Sequence, residues 1–213
     1  MKNDALYFLN KISARFADAQ IELDYDKKDP FTLLVAVMLS AQTTDVNVNK
    51  ATPKLFAKFK DVYAFARAKP EELEPYVRSL GFFRNKAKAV CAAAHRIVEE
   101  FDGKVPSDRA ILETLPGVGS KTAAVVVANV FGQPAIAVDT HVARISQRLG
   151  LTKQKNPDKI EAELTRLFPN ARLLEAHHAF IWHGRRICKA RKPLCSECPV
   201  QERCPKIGVT ISA

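Results

Sequence analysis

Apolar residues recur along most of this chain at intervals of three and four, the spacing that gathers side chains on one face of a helix. The pattern is clear after Asp29-Pro30, a cap residue followed by one suited to a first helical turn, where Phe31, Leu34, Met38 and Ala41 keep the helical period. Comparable amphipathic runs occupy about 46–60, 71–79, 85–101, 107–115, 121–131, 139–149, 157–168 and 171–185. Short breaks of Gly, Pro or Asn separate them, and no apolar/polar alternation is long enough to seed a sheet. The pattern predicts an all-α protein. There is no internal repeat, low-complexity tract or flexible linker, so any division into domains must come from the chain crossing between them.

With 213 residues and 47% hydrophobic content, the chain can bury one large core or two small ones. Its 33 Lys and Arg against 23 Asp and Glu leave a formal charge of +10, which points to a polyanionic partner. A membrane is not that partner: the longest apolar stretch, Ala123 to Phe131, is too short to span and is interrupted by Asn129. The opening MKNDALYFLNKISARF has no basic stretch followed by an apolar core, which implies a cytoplasmic, reduced protein.

In that setting the four cysteines Cys188, Cys195, Cys198 and Cys204, spaced C-x6-C-x2-C-x5-C, read as metal ligands rather than disulfides. Structural zinc sites usually bring together two short Cys/His pairs, whereas here one C-x2-C is flanked by single cysteines on uneven loops. Four thiolates on a short loop-rich segment fit a [4Fe–4S] cluster better. His177, His178 and His183 nearby keep zinc open. Cys91, within AVCAAAHRIV, reads as a small buried hydrophobe. Between Cys188 and Cys195 stand Lys189, Arg191 and Lys192, so the longest inter-ligand loop is basic and suited to phosphate contact.

The segment Leu115-Pro-Gly-Val-Gly-Ser-Lys-Thr-Ala123 places a tight reversal between two helical runs. Gly117 and Gly119 permit positive φ and leave the backbone uncovered, so N–H groups of Gly117, Val118 and Gly119 can face a phosphate at the start of the second helix. Gly-Ser-Lys-Thr resembles the end of a nucleotide-binding P-loop, but Ser120 and Leu115 stand where that motif needs glycine.

LPGVGSKTA, followed by Asp139 in Val-Asp-Thr-His-Val and closed by the four-cysteine array, resembles the endonuclease III family of DNA repair glycosylases. Leu39-Ser-Ala-Gln-Thr-Thr-Asp45 and Ile136-Ala-Val-Asp-Thr-His141 match further segments of that family, so the likeness covers nearly the whole chain. It implies a helix–hairpin–helix fold and a [4Fe–4S] cluster held by the four cysteines. It further implies a monomeric enzyme of prokaryotic type, working at the nucleoid on duplex DNA with damaged bases or abasic sites. The substrate would be an oxidised pyrimidine, with base excision followed by strand cleavage through β-elimination. The domains would be 23–133, a six-helix bundle carrying the hairpin, and 1–22 plus 134–213, carrying the cluster.

The matching positions assign roles. Lys121 would be the nucleophile, standing in the first turn after the hairpin at the positive end of the helix dipole. Asp139, well placed as a helix cap, would also assist departure of the base. Extruding a nucleotide leaves a gap in the duplex; Gln42 matches the gap-filling residue. Gly81-Phe82-Phe83-Arg84-Asn85-Lys86 matches a second wedge loop, with Phe82 where a leucine often stands, and with Arg84, Asn85 and Lys86 toward DNA. An adenine-mismatch glycosylase of the same superfamily needs a glutamate where Ala36 aligns. A non-enzymatic hairpin DNA-binding module would need neither Lys121 nor Asp139. A ferredoxin-like carrier fits neither the charge nor the length.

Overall fold

The computed structural model describes residues 2–213 as eleven α-helices with three short 3-10 turns, and no strand occurs among the described residues. None of these helices is long and apolar enough to cross a membrane. The chain divides into two compact units, Glu22–Gly132 and Met1–Ile21 with Gln133–Ala213.

The first unit holds seven helices: α2 (Pro30–Leu39), α3 (Asp45–Lys58), α4 (Val62–Arg67), α5 (Pro70–Val77), α6 (Phe83–Phe101), α7 (Arg109–Thr114) and α8 (Ser120–Val130). One more helix appears than the six expected. The addition is α4, whose six residues are too few to show a 3.6-residue period; it is started by Asp61, which accepts from Ala64 N at 2.7 Å. At the head of α2, Asp29 accepts from Phe31 N at 2.9 Å and Pro30 fills the first turn. Eight of the ten residues of α2 are buried, Phe31 and Leu33 through Leu39 among them. A helix apolar on every side belongs at the centre of its unit, and α2 packs on α3, α6 and α8. Burying each such Leu or Phe contributes about 1.5–3 kcal/mol. That gain lets α8 stay helical through Val125-Val126-Val127, whose β-branched side chains disfavour the helix locally.

The second unit is built from α1 (Lys2–Arg15), α9 (Thr140–Arg148), α10 (Pro157–Leu167) and α11 (Leu173–Arg186). Ala5, Phe8, Leu9 and Ile12 form one stripe of α1 and meet Ile145 and Phe180 in a shared core. Gly184 lets α11 lie close to α9: a Cβ there would stand 3.0 Å from the Cβ of His141. After α11 the chain is irregular. Its tail returns on itself, with Ile207 N donating to Arg148 O (3.2 Å) and Ala213 N to Pro193 O (3.0 Å).

Candidate functional site

In the hairpin between α7 and α8, Leu115 N donates to Leu112 O at 3.0 Å and Val118 N to Leu115 O at 3.1 Å. Gly117 has φ 76°, and a Cβ on it would come within 2.7 Å of the Ala89 Cβ and 3.2 Å of Met38 Cε. Conformation and close packing against α6 and α2 therefore both require glycine here. Gly119 differs from expectation: its φ is −98°, which any residue adopts, and its missing side chain serves only to leave the backbone uncovered. Val118 also departs from its expected role, because its side chain is buried and its N–H is spent inside the turn. Among the described residues, the N–H groups of Gly117 and Gly119 have no protein acceptor. These and the start of α8 leave an anion-binding face. Arg109 braces it, donating from Nη2 to Ser120 Oγ at 2.8 Å while Nε holds Glu113 at 3.0 Å. Lys121 is exposed in the first turn of α8.

Gln42 and Phe82 share a property that no periodicity shows: both are non-glycine residues in the left-handed region, at φ 55° and 47°. Such backbone costs on the order of 1 kcal/mol or more and is retained where it aims a side chain. Both line one surface recess together with Asn85, Lys86, Met38 and Gly117. Phe82 is 66% exposed. Lys86, expected to reach DNA, is instead turned inward: it is buried, and its Nζ donates to Leu80 O at 2.8 Å. Burial lowers its pKa from the ordinary lysine value. Its work is to clamp the loop that carries Phe82. Arg84 is exposed, 3.9 Å from Glu74 and stacked over the Phe83 ring.

In the other unit, Asp139 caps α9. One oxygen, Oδ1, accepts from His141 N and Val142 N, both at 2.8 Å. Among the described residues Oδ2 has no protein donor, so the capped carboxylate keeps one face for other chemistry. Burial holds the adjacent His141 below the usual imidazole range, with Arg144 and Arg185 acting in the same sense and Asp139 against it.

All four cysteines of the C-terminal array line one recess, walled by Ile145, Leu149, Ile187 and Leu194. The four thiols stand around this shared space, an arrangement that fits a multi-iron cluster. Burial raises the Cys198 thiol to about 11 and raises that of Cys204, so both keep their protons until metal takes their place. His183, one of the residues that kept zinc open, has its Nε2 3.7 Å from Cys198 Sγ, and burial lowers its pKa to about 4. His177 bonds the Ala137 carbonyl at 3.0 Å.

Two residues that sequence reasoning missed organise this loop. Arg148, buried, donates from Nη1 to Lys189 O (2.7 Å) and Cys188 Sγ (3.3 Å), and from Nη2 to Ala190 O (2.9 Å). Arg144 reaches Cys188 O (3.2 Å) and Gly184 O (2.9 Å). Their acceptors are backbone carbonyls about forty positions away, which leave no signature in the sequence. Held this way, the loop presents Lys189, Arg191 and Lys192 to solvent.

An all-helical chain with a glycine hairpin ahead of an exposed lysine, and a four-cysteine loop beyond it, defines a helix–hairpin–helix protein with an iron–sulfur segment. Residues 35–170 match the HhH-GPD superfamily of base excision DNA repair proteins, and 188–204 match the iron–sulfur binding domain of endonuclease III. The endonuclease III of Synechocystis sp. is 49% identical over 203 residues, covering 95% of this chain and 90% of that one. The endonuclease III of Escherichia coli (strain K12) is 39% identical over 203 residues, 95% of each. A solved endonuclease III, trapped as a covalent intermediate with DNA in an estranged-adenine complex, superposes with a TM-score of 0.92 at 42% identity. That match covers 97% of this chain and 96% of that one. The chain belongs to the endonuclease III family, the DNA glycosylases and AP lyases of base excision repair, and its cofactor is a [4Fe–4S] cluster.

Proposed function

We propose that this protein removes oxidised pyrimidines from duplex DNA and then cleaves the abasic strand by β-elimination, with Lys121 as nucleophile. The observation that carries this reading is the exposed amine of Lys121 one residue into α8, directly after a hairpin whose Gly117 and Gly119 N–H groups are uncovered. The hairpin holds a backbone phosphate and thereby fixes the sugar relative to Nζ. Nζ attacks C1′, the C1′–N bond to the base breaks, and the base leaves with its electron pair and takes up a proton. The nitrogen loses a proton, and its lone pair then breaks the C1′–O4′ bond as O4′ takes up a proton, giving a protonated Schiff base to the opened sugar. The imine acidifies C2′–H; removal of that proton expels the 3′ phosphate, and water then releases Lys121. Asp139, its Oδ1 committed to the cap and its Oδ2 open, assists departure of the base and carries protons. The covalent DNA intermediate trapped in the 42%-identical relative supports an enzyme nucleophile of this kind.

Gln42 and Phe82 enter the duplex beside the extruded nucleotide. Their left-handed backbone and common recess support this role, Gln42 hydrogen-bonding the orphaned base and Phe82 stacking. Cys188, Cys195, Cys198 and Cys204 hold the [4Fe–4S] cluster, which when bound supplies structural bracing. The basic side chains of that loop, with Arg84 and Asn85, contact phosphates, and the protein acts as a monomer.

A duplex with a single thymine glycol tests the reading: the expected products are the free base and a strand broken 3′ to the lesion. Tight binding with no turnover would instead support a non-enzymatic hairpin module.

A further inference from the structure

The outward face of α3 takes no part in anything described above. Its inner face, Val48, Ala51, Thr52 and Leu55, is buried and fixes the helix against its unit. Helical geometry then puts Lys50, Lys54 and Lys58 in one outward row, each about 6 Å further along the axis than the last. All three are exposed. The remainder of that face is Val46, Asn47, Pro53 and Ala57, also exposed, with no carboxylate among them. Among the described residues no acid pairs with the row. On α5, packed beside α3, Glu72 is spent on the Lys69 N–H at 2.8 Å and Glu74 stands 3.9 Å from Arg84. The helix also starts in a telling place. Its cap, Thr44, lies two residues after the left-handed Gln42, accepting from Asn47 N at 3.3 Å.

We propose that Lys50, Lys54 and Lys58 form an auxiliary contact surface for the phosphates of duplex DNA flanking the damaged nucleotide. The proposal rests on the reading of Gln42 as the residue that enters the duplex. With Gln42 there, α3 leads away from the point of entry, and its lysine row extends about 12 Å, the length of roughly three to four base-pair steps. Ammonium groups with no protein carboxylate to lose remain free to displace DNA counterions, so each contact adds affinity that falls with salt. A flanking contact of this kind holds the duplex without reading sequence, as an enzyme that meets damage in any context requires.

The test compares two triple variants on a long duplex carrying an uncleavable abasic analogue, with affinity measured across a range of salt. In one, Lys50, Lys54 and Lys58 are changed to Gln, which preserves helix propensity. In the other, Lys153, Lys155 and Lys159, exposed in the other unit, are changed to Gln to remove the same charge elsewhere. The α3 variant should lower the slope of log K against log salt by about two to three units, and the control by less than one such contact. An unchanged α3 slope, or equal losses in both variants, would overturn the proposal. If it alone is wrong, wild-type binding and excision stand and only the α3 slope is unmoved. If the underlying reading is wrong, Gln42→Ala leaves excision untouched as well.

Discussion

Arg148 Nη1 lies 3.3 Å from Cys188 Sγ and 2.7 Å from the carbonyl oxygen of Lys189, so one buried guanidinium ties a cluster ligand to the first residue of the basic loop. Arg148→Met should keep the packing volume while leaving the Lys189 and Ala190 carbonyls unpaired, at about 1–3 kcal/mol each where they stay buried. The expected outcome is less iron per chain and faster bleaching of the visible absorbance, together with weaker binding to damaged and undamaged duplex alike. Iron analysis and absorbance at equal protein concentration check it.

The hairpin glycines should respond unequally. Gly117→Ala must accept both a left-handed φ and a 2.7 Å approach to Ala89, and should lose about 1–3 kcal/mol in urea unfolding along with hairpin-dependent DNA binding. Gly119→Ala, with φ −98° and no atom within 4 Å of the added Cβ, should unfold within about 0.5 kcal/mol of wild type. Equal losses would mean that packing against α6 and α2 is not what Gly117 supplies.

Acid should destabilise the fold through His178. Burial, with His177 beside it, lowers its pKa to about 3. In the unfolded chain it takes up a proton near pH 6.5, while the folded chain refuses it. Stability is therefore intact above about pH 6.5 and falls by up to roughly 1.4 kcal/mol per pH unit between there and pH 3. Denaturant unfolding of His178→Gln between pH 7 and 5 should show a shallower decline than wild type. An identical decline would place the acid sensitivity in other groups.

These contrasts show where the sequence was legible. Helical period and cap residues located α2, α3 and α5–α11, and the cysteine spacing located the cluster segment, because each depends on neighbours within a few residues. Lys86 reads like its exposed neighbours Arg84 and Asn85, yet it turns inward because the Leu80 carbonyl at the end of the preceding 3-10 turn needs a donor. Val118 has the same origin: closing the turn uses its N–H. Arg144 and Arg148 bond backbone atoms distant in sequence, contacts that exist only once α9 and the cysteine loop are packed in one unit.

Asp139→Asn separates capping from catalysis. Asn caps about as well as Asp, so thermal unfolding should move by only a few tenths of a kcal/mol. Base excision should fall by about 10²-fold or more if the open oxygen carries a proton. Single-turnover excision kinetics at matched protein stability check it, and near-normal rates would leave Asp139 a cap and nothing else.

The proposed mechanism requires a covalent bond between the Lys121 amine and the substrate sugar. Borohydride added during turnover on a duplex with one oxidised pyrimidine should reduce the imine and leave protein attached to DNA, with the adduct mapped by mass spectrometry to the peptide containing Lys121. Lys121→Gln should bind the same duplex with wild-type affinity and give neither adduct nor free base. An adduct that persists in Lys121→Gln, or one that maps to a different residue in the wild type, would contradict the account.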